Sequence, residues 1–124
     1  MTERKIKMSD TKKELPIHFD YIGKAEQLTF EWTKVNNIKL FKIEFIVPFV
    51  LTDISLQVWL FFDTDKTMSE YETNGTTQLV KQKYLDSLIQ FDYPKNYLSE
   101  VNFIIDTDEN VQKNYGGSYF GRLR

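Results

Sequence analysis

Residues 55–63, SLQVWLFFD, become apolar on both faces toward their end. A strand of that kind has to be covered from two sides and paired with neighbours, so it reads as the centre of a sheet. Two later segments decide what surrounds it. TTQLVKQKYLDSLIQF (76–91) sets Val80, Tyr84, Leu88 and Phe91 along one stripe, with Leu85 and Ile89 beside it, which is the spacing of an amphipathic helix. Thr76 or Thr77 is placed to cap its start, and Pro94 enforces its stop. VNFIID (101–106) is a second short apolar run. Strand, helix and strand in this order predict a β-α-β crossover, which usually returns its second strand parallel to the first. The polar stretch TMSEYETNG (67–75) reads as the connection into the helix.

The N-terminal half reads as antiparallel strands. IHFDYI (17–22) alternates Ile17, Phe19 and Tyr21 against His18 and Asp20. LTFEWTKV (28–35) alternates Leu28, Phe30 and Trp32 against Thr29, Glu31 and Thr33, again the period of a half-buried strand. Asn36 and Asn37 tolerate positive φ and predict a two-residue turn into IKLFKIEFIV (38–47). In that register Trp32 faces Phe41, Phe30 faces Ile43, Leu28 faces Phe45, and Glu31 faces Lys42, all pairings that stabilise a ladder. PFVLTDI (48–54) is an apolar connection, and residues 49–51 are a candidate subunit contact if exposed. After the crossover, TDENVQKN (107–114) reads as a turn of helix, and YGGSYFGRLR (115–124) as a terminal strand with glycine-permitted bends.

The expected fold is therefore α+β. It is an antiparallel strand meander followed by one long helix in a β-α-β crossover and a C-terminal strand, with a single layer of helix on a mixed sheet. Residues 1–14 are expected to be a disordered basic leader, and 15–124 a single α+β domain.

Composition removes several function classes. There is no cysteine, so disulfides and thiolate metal sites are excluded. The one histidine, His18, excludes multi-histidine metal sites; it reads as an exposed strand residue without a catalytic partner. Residues 1–14 carry five Lys/Arg and three Asp/Glu, the rest of the chain eleven and fifteen. A mildly acidic body is a poor general partner for nucleic acid, whose phosphates need clustered Lys and Arg. No apolar run approaches the roughly 20 residues of a membrane span. The N-terminus lacks the apolar core of a secretory signal, so a cytoplasmic location is the expectation. Met8 is a second candidate start.

One short pattern occurs twice. LFFDTDKT (60–67) and FIIDTDEN (103–110) both run an apolar strand into Asp-Thr-Asp. If the two strands are parallel, both endings lie at one edge of the sheet. Asp63, Asp65, Asp106, Asp108 and Glu109 then gather at the carboxyl ends of the strands, where open α/β sheets tend to bind ligands. Asp63, Asp65, Asp106 and Asp108 are candidate oxygen ligands for Mg²⁺ or Ca²⁺. The structural alternative is that Asp and Thr after a strand form turns and caps through bonds to nearby backbone N–H groups. Asp108, for instance, could cap a turn of helix starting at Glu109.

LFFDTDKT also resembles, over its eight residues, the first motif of the haloacid-dehalogenase-like phosphotransferases, an apolar strand followed by Asp-x-Asp-x-Thr. The resemblance implies Asp63 as nucleophile and Asp65 as acid/base, with IIDTD standing where that family has its late acidic metal motif. The chain departs from the family in carrying the motif on its fourth predicted strand rather than opening the sheet with it. It also has no evident Ser/Thr or Lys motif between the two acidic endings.

Two further stretches extend the edge. Glu70 and Glu72 add to the acids of 63–72, where Lys66 is the one base. NYGGSYFGRLR mixes Tyr115, Tyr119, Phe120 and Arg122 with three glycines, a composition binding surfaces favour. Its structural alternative is a last strand packed on the helix. Trp32 and Trp59 read as core.

The reading these features favour is a small non-catalytic interaction protein that binds a basic protein partner through its acidic sheet edge. The immunity proteins of bacterial toxins, which cover basic enzymes, have this general character by analogy. The candidate contact residues are Asp63, Asp65, Glu70, Glu72, Asp106, Asp108, Glu109, Tyr115, Tyr119 and Arg122. The reading requires no cofactor and no nucleic acid, and it leaves a homodimer open. The alternative is a small Mg²⁺-dependent phosphoryl-transfer or hydrolytic enzyme using Asp63, Asp65, Asp106 and Asp108.

Overall fold

A three-stranded mixed sheet organises the chain, in the order β1 (Leu40–Ile46), β2 (Leu56–Phe62), β3 (Val101–Thr107). The computed structural model describes residues 9–46 and 56–123, with side chains from Asp20 onward except at position 96. β1 pairs antiparallel with β2, and β2 pairs parallel with β3. β2 is thus the central strand, and its side chains are divided between two cores. Leu56, Val58, Leu60 and Phe62 enter the larger one, and Trp59 and Phe61 the smaller one on the opposite face. This alternation of burial explains why the segment is apolar on both sides.

The crossover has the expected order and parallel strands, with more helix in it than the sequence suggested. The polar stretch after β2 is helix α2 (Asp65–Asn74). Its apolar face is narrow: Thr67 is buried, with Met68 and Tyr71 packed against the larger core. Gly75, at φ 88°, closes α2 and opens α3 (Thr76–Gln90) in a single residue, a left-handed conformation that favours glycine. The expected threonine cap of α3 is not formed. Asn74 Oδ1 accepts from the Thr76 amide at 3.0 Å instead, and Thr77 is buried. Val80, Tyr84 and Leu88 of α3 are buried along the predicted stripe. A short helix, α4 (Lys95–Leu98), leads into β3.

The N-terminal strands are not strands. Residues Ser9–Val35 form one helix, α1, so the strands expected at 17–22 and 28–35, and the hairpin from 28–35 into 38–47, are corrected. Among the described side chains of α1, from Asp20 onward, the buried ones are Ile22, Ala25, Thr29 and Thr33, spaced three, four and four apart as on one helical face. Phe30 and Trp32 flank that face, half-buried. The alternation seen in sequence came from counting Thr29 and Thr33 as polar. Their hydroxyls are satisfied within the helix by donating to the carbonyls of Ala25 (2.8 Å) and Phe30 (2.7 Å), and α1 packs against α3.

The Asn pair does supply positive φ, but it ends a helix instead of turning a hairpin. Asn37 sits at φ 56°. Its amide donates to the Lys34 carbonyl at 3.3 Å, and the Ile38 amide donates to that of Thr33 at 2.8 Å. These two bonds are a Schellman closure. β1 then takes β2 as its partner: Ile43 faces Leu60 and Phe45 faces Val58, with a bulge between Leu40 and Lys42 that leaves Phe41 half-exposed.

The terminal strand expected at 115–124 is also corrected. β3 runs into α5 (Asp108–Asn114), and the chain reverses at Gly116 (φ 59°) and Gly117 (φ 81°) into α6 (Tyr119–Leu123). A Cβ on Gly117 would stand 3.0 Å from the Gln112 side chain, so strain and space both favour glycine there. This segment puts Val111, Tyr119 and Leu123 against Trp59 and Phe61, so helix lies on the second face of the sheet as well. The connection at 48–54, with its candidate contact at 49–51, and residues 1–8 of the basic leader lie outside the described residues.

Candidate functional site

Because β2 and β3 are parallel, they leave the sheet at the same edge, with Phe61 beside Asp106 and Phe62 beside Thr107. Each then turns directly into a helix. In both copies of Asp-Thr-Asp the threonine is the N-cap, with extended backbone (φ −132°, ψ 161° at Thr64; φ −138°, ψ 153° at Thr107). Thr64 Oγ1 accepts from the Thr67 amide at 3.1 Å, and Thr107 Oγ1 from the Asn110 amide at 2.9 Å. The following aspartates, Asp65 and Asp108, open the two helices, where a negative charge is favoured. Thr107, not Asp108, is the cap of α5.

The two tips are joined to each other. The Thr107 hydroxyl donates to Asp65 Oδ1 at 2.6 Å, the Asp65 amide to Glu109 Oε1 at 2.8 Å, and the Glu109 amide to the Asp63 carbonyl at 3.1 Å. Asp63 Oδ1 turns inward and accepts from the Thr64 amide at 2.7 Å. Asp108 Oδ1 accepts from the Tyr119 hydroxyl and from Gln112 Nε2. Burial, and then this bond to Asp108, hold the Tyr119 phenol well above its ordinary range. Asp63, Asp65, Asp108 and Glu109 are therefore bonded to neutral donors. Asp65, Glu70 and Glu72 are exposed, while Asp63, Asp108 and Glu109 are half-buried.

Asp106 is different. It is 7% exposed, receives Asn110 Nδ2 at 3.1 Å on both oxygens, and pairs with Arg122 Nε. The Arg122 guanidinium also lies 4.7 Å above the Trp59 ring and 5.4 Å from that of Tyr115. Tyr119 packs edge-on against Phe61 at 4.8 Å, with Lys42 Nζ 4.5 Å over its ring. The three tail residues picked out in sequence are thus gathered on the second face of the sheet, next to the acidic edge. Trp59 and Asn110, which complete this cluster, were not singled out as site residues. Their signal was a tryptophan on a doubly buried strand and an Asn one turn beyond Asp106.

Among the described residues, no group of three or more Asp, Glu or His side chains is disposed to hold a metal ion. The four candidate aspartates approach one another through caps and cross-links, and their oxygens do not converge on a common point. Within LFFDTDKT, Asp63 accepts from its neighbour's amide and Asp65 stands in the first turn of α2. Among the described residues, no helix is long and apolar enough to cross a membrane. In comparison with known proteins, the chain matches no family model, no curated protein and no solved structure.

Proposed function

We propose that this protein is a non-catalytic interaction module that engages a basic protein partner through the edge where β2 and β3 end. One observation carries the reading: the acids of the two joined tips are held by amides, hydroxyls and a side-chain amide, so among the described residues no ion pair cancels their charge. Asp106, paired with Arg122, is the exception. With Glu70 and Glu72 exposed on α2, the edge keeps a negative field that steers a basic surface toward it. The rigid caps fix where those charges stand, which lowers the entropy lost on docking. The setting proposed for this is the cytoplasm.

The test is capture of a partner from extract of the native host on the immobilised full chain, at about 50 and about 300 mM salt, conditions that bracket a Debye length of about 10 Å. The expected result is a basic protein retained at low salt and released at high salt. It should also be lost by the triple variant Asp65→Asn, Glu70→Gln, Glu72→Gln, which removes charge while keeping shape. Retention indifferent to both salt and the triple variant would overturn the reading.

A further inference from the structure

We infer that Trp59, Asp106, Asn110 and Tyr115 form an arginine-recognition site whose occupant in this structure is the chain's own Arg122, and which a partner's arginine can take over. This inference rests on the proposed basic partner and specifies the side chain it presents. The groups fit a guanidinium in particular. The guanidinium carbon lies 4.7 Å over the Trp59 ring while the Nε–H side meets Asp106. A lysine ammonium is a compact point charge with no plane to lay along the ring and no forked set of donors, so it fits this pairing less well. The carboxylate is held ready by Asn110, which bonds both its oxygens. Trp59 is oriented by its own indole N–H, donated to Gln57 Oε1 at 2.8 Å.

The present occupant is held in a way that permits exchange. Trp59 and Asp106 stand on the two parallel strands and Asn110 on α5, so the sheet and α5 set where their backbones lie, while Tyr119 and Leu123 of the tail pack against the Trp59–Phe61–Val111 cluster beside them. Arg122, by contrast, rides on the five-residue α6, which has no fully buried residue and follows the Gly116–Gly117 turn. The Arg122 side chain is 24% exposed, against 9% for Asp106. The carboxylate is covered while the cation is open at the rim. A tethered side chain competes at an effective concentration on the order of millimolar, so an incoming arginine prevails only when other contacts, such as the acidic tips, hold its owner in place.

The test uses the full chain with Trp32→Phe, so that Trp59 is the sole tryptophan, and N-acetylarginine methylamide against N-acetyllysine methylamide as probes. Tryptophan fluorescence and the indole N–H resonance report occupancy. In Arg122→Ala the arginine probe is expected to bind at least about tenfold more tightly than the lysine probe, and about tenfold more tightly than it binds the chain retaining Arg122. Arg122→Lys keeps Asp106 neutralised and so guards against misfolding of the alanine variant; it should show an intermediate gain. Adding Asp106→Asn to either should abolish the preference. Equal binding of the two probes, or no gain over the parent in both Arg122 variants, would overturn the inference. Should salt-sensitive capture by Asp65, Glu70 and Glu72 survive that outcome, the acidic-edge reading stands without it. Loss of capture with the arginine preference intact would have the opposite meaning.

Discussion

Thr64 and Thr107 occupy the same position in the same tripeptide, yet the structure makes their removal unequal. Thr64 is half-buried; its hydroxyl caps the Thr67 amide and donates to the Thr67 hydroxyl at 3.0 Å, both within the first turn of α2, so Thr64→Ala should cost about 1 kcal/mol. Thr107 is fully buried and does three things. Its cap on Asn110 is again worth about 1 kcal/mol. Its bond to the Asp65 carboxylate contributes about 1.5 kcal/mol, the low end for a charged acceptor because Asp65 faces solvent. Its methyl fills core space worth roughly 0.8 kcal/mol. Thr107→Ala should therefore cost about 3 kcal/mol, some three times its twin. With a urea slope of about 1.5 kcal/mol/M, the midpoints fall by about 2 M and about 0.7 M. Thr107→Ser should recover most of the loss, and Thr107→Val only the packing part.

The cross-link is isolated by a double-mutant cycle of Thr107→Ala with Asp65→Ala, read by urea unfolding at 25 °C. A coupling of about 1 kcal/mol or more is expected, because each single change already breaks the shared bond. The pair Thr64 and Asp108, which share no bond, should be additive within about 0.5 kcal/mol. Equal costs for the two threonines, or a coupling near zero between Thr107 and Asp65, would mean the tips do not touch in solution. The shared acidic edge would then lose its basis.

Three other changes probe the rest of the molecule. Tyr84 is fully buried and its hydroxyl has no hydrogen-bond partner among the described residues; Tyr84→Phe should raise stability by about 1 kcal/mol by urea unfolding, and a loss would reveal a bond at that oxygen. Burial, helped by Glu44 and opposed by Lys42, pushes Glu26 up to about 7. A carboxyl raised on folding contributes least penalty below its unfolded pKa, so stability should decline as pH rises from about 4.5 through about 7. Glu26→Gln should flatten that decline between about pH 5 and pH 8, whereas an unchanged slope would place its cause elsewhere. Calorimetric titration with Mg²⁺, Mn²⁺ or Ca²⁺ to millimolar concentration should give no saturable heat; a saturable isotherm lost in Asp65→Asn would restore a metal role.

The parts of the fold legible in the sequence are those whose period admitted one reading. β2 could only be central, because Val58, Leu60 and Phe62 alternate with Trp59 and Phe61 and all are apolar. The stripe Val80–Tyr84–Leu88 fits no strand. α1 was not legible because threonine is ambiguous: at 29 and 33 its methyl faces the core and its hydroxyl returns to the helix backbone, which a binary count scores as polar. α2 was hidden for a related reason, since Thr67, Met68 and Tyr71 make too thin a stripe to stand out among polar residues. In the tail, the aromatics of YGGSYFGRLR suggested a strand packed on the core. The paired glycines at positive φ turn the chain onto the sheet face before any strand can pair.

The repeated Asp-Thr-Asp follows from one geometric problem met twice. Two parallel strands leave a sheet side by side and must each start a helix at once, leaving the first amides of α2 and α5 without helical partners. Threonine satisfies one such amide in each copy, and the acids supply further oxygens: Asp63 for the Thr64 amide and Glu109 for that of Asp65. Helix starts thus stabilise the acids in the place that basic side chains would otherwise fill. The compensation is local, because the partial charge of a helix end fades within about one turn. Full carboxylate charges act across a Debye length of about 10 Å at ordinary salt. An edge neutralised by lysines would present little to an approaching protein. One stabilised by amides presents its charge outward, and the proposed docking at this edge rests on that asymmetry of range.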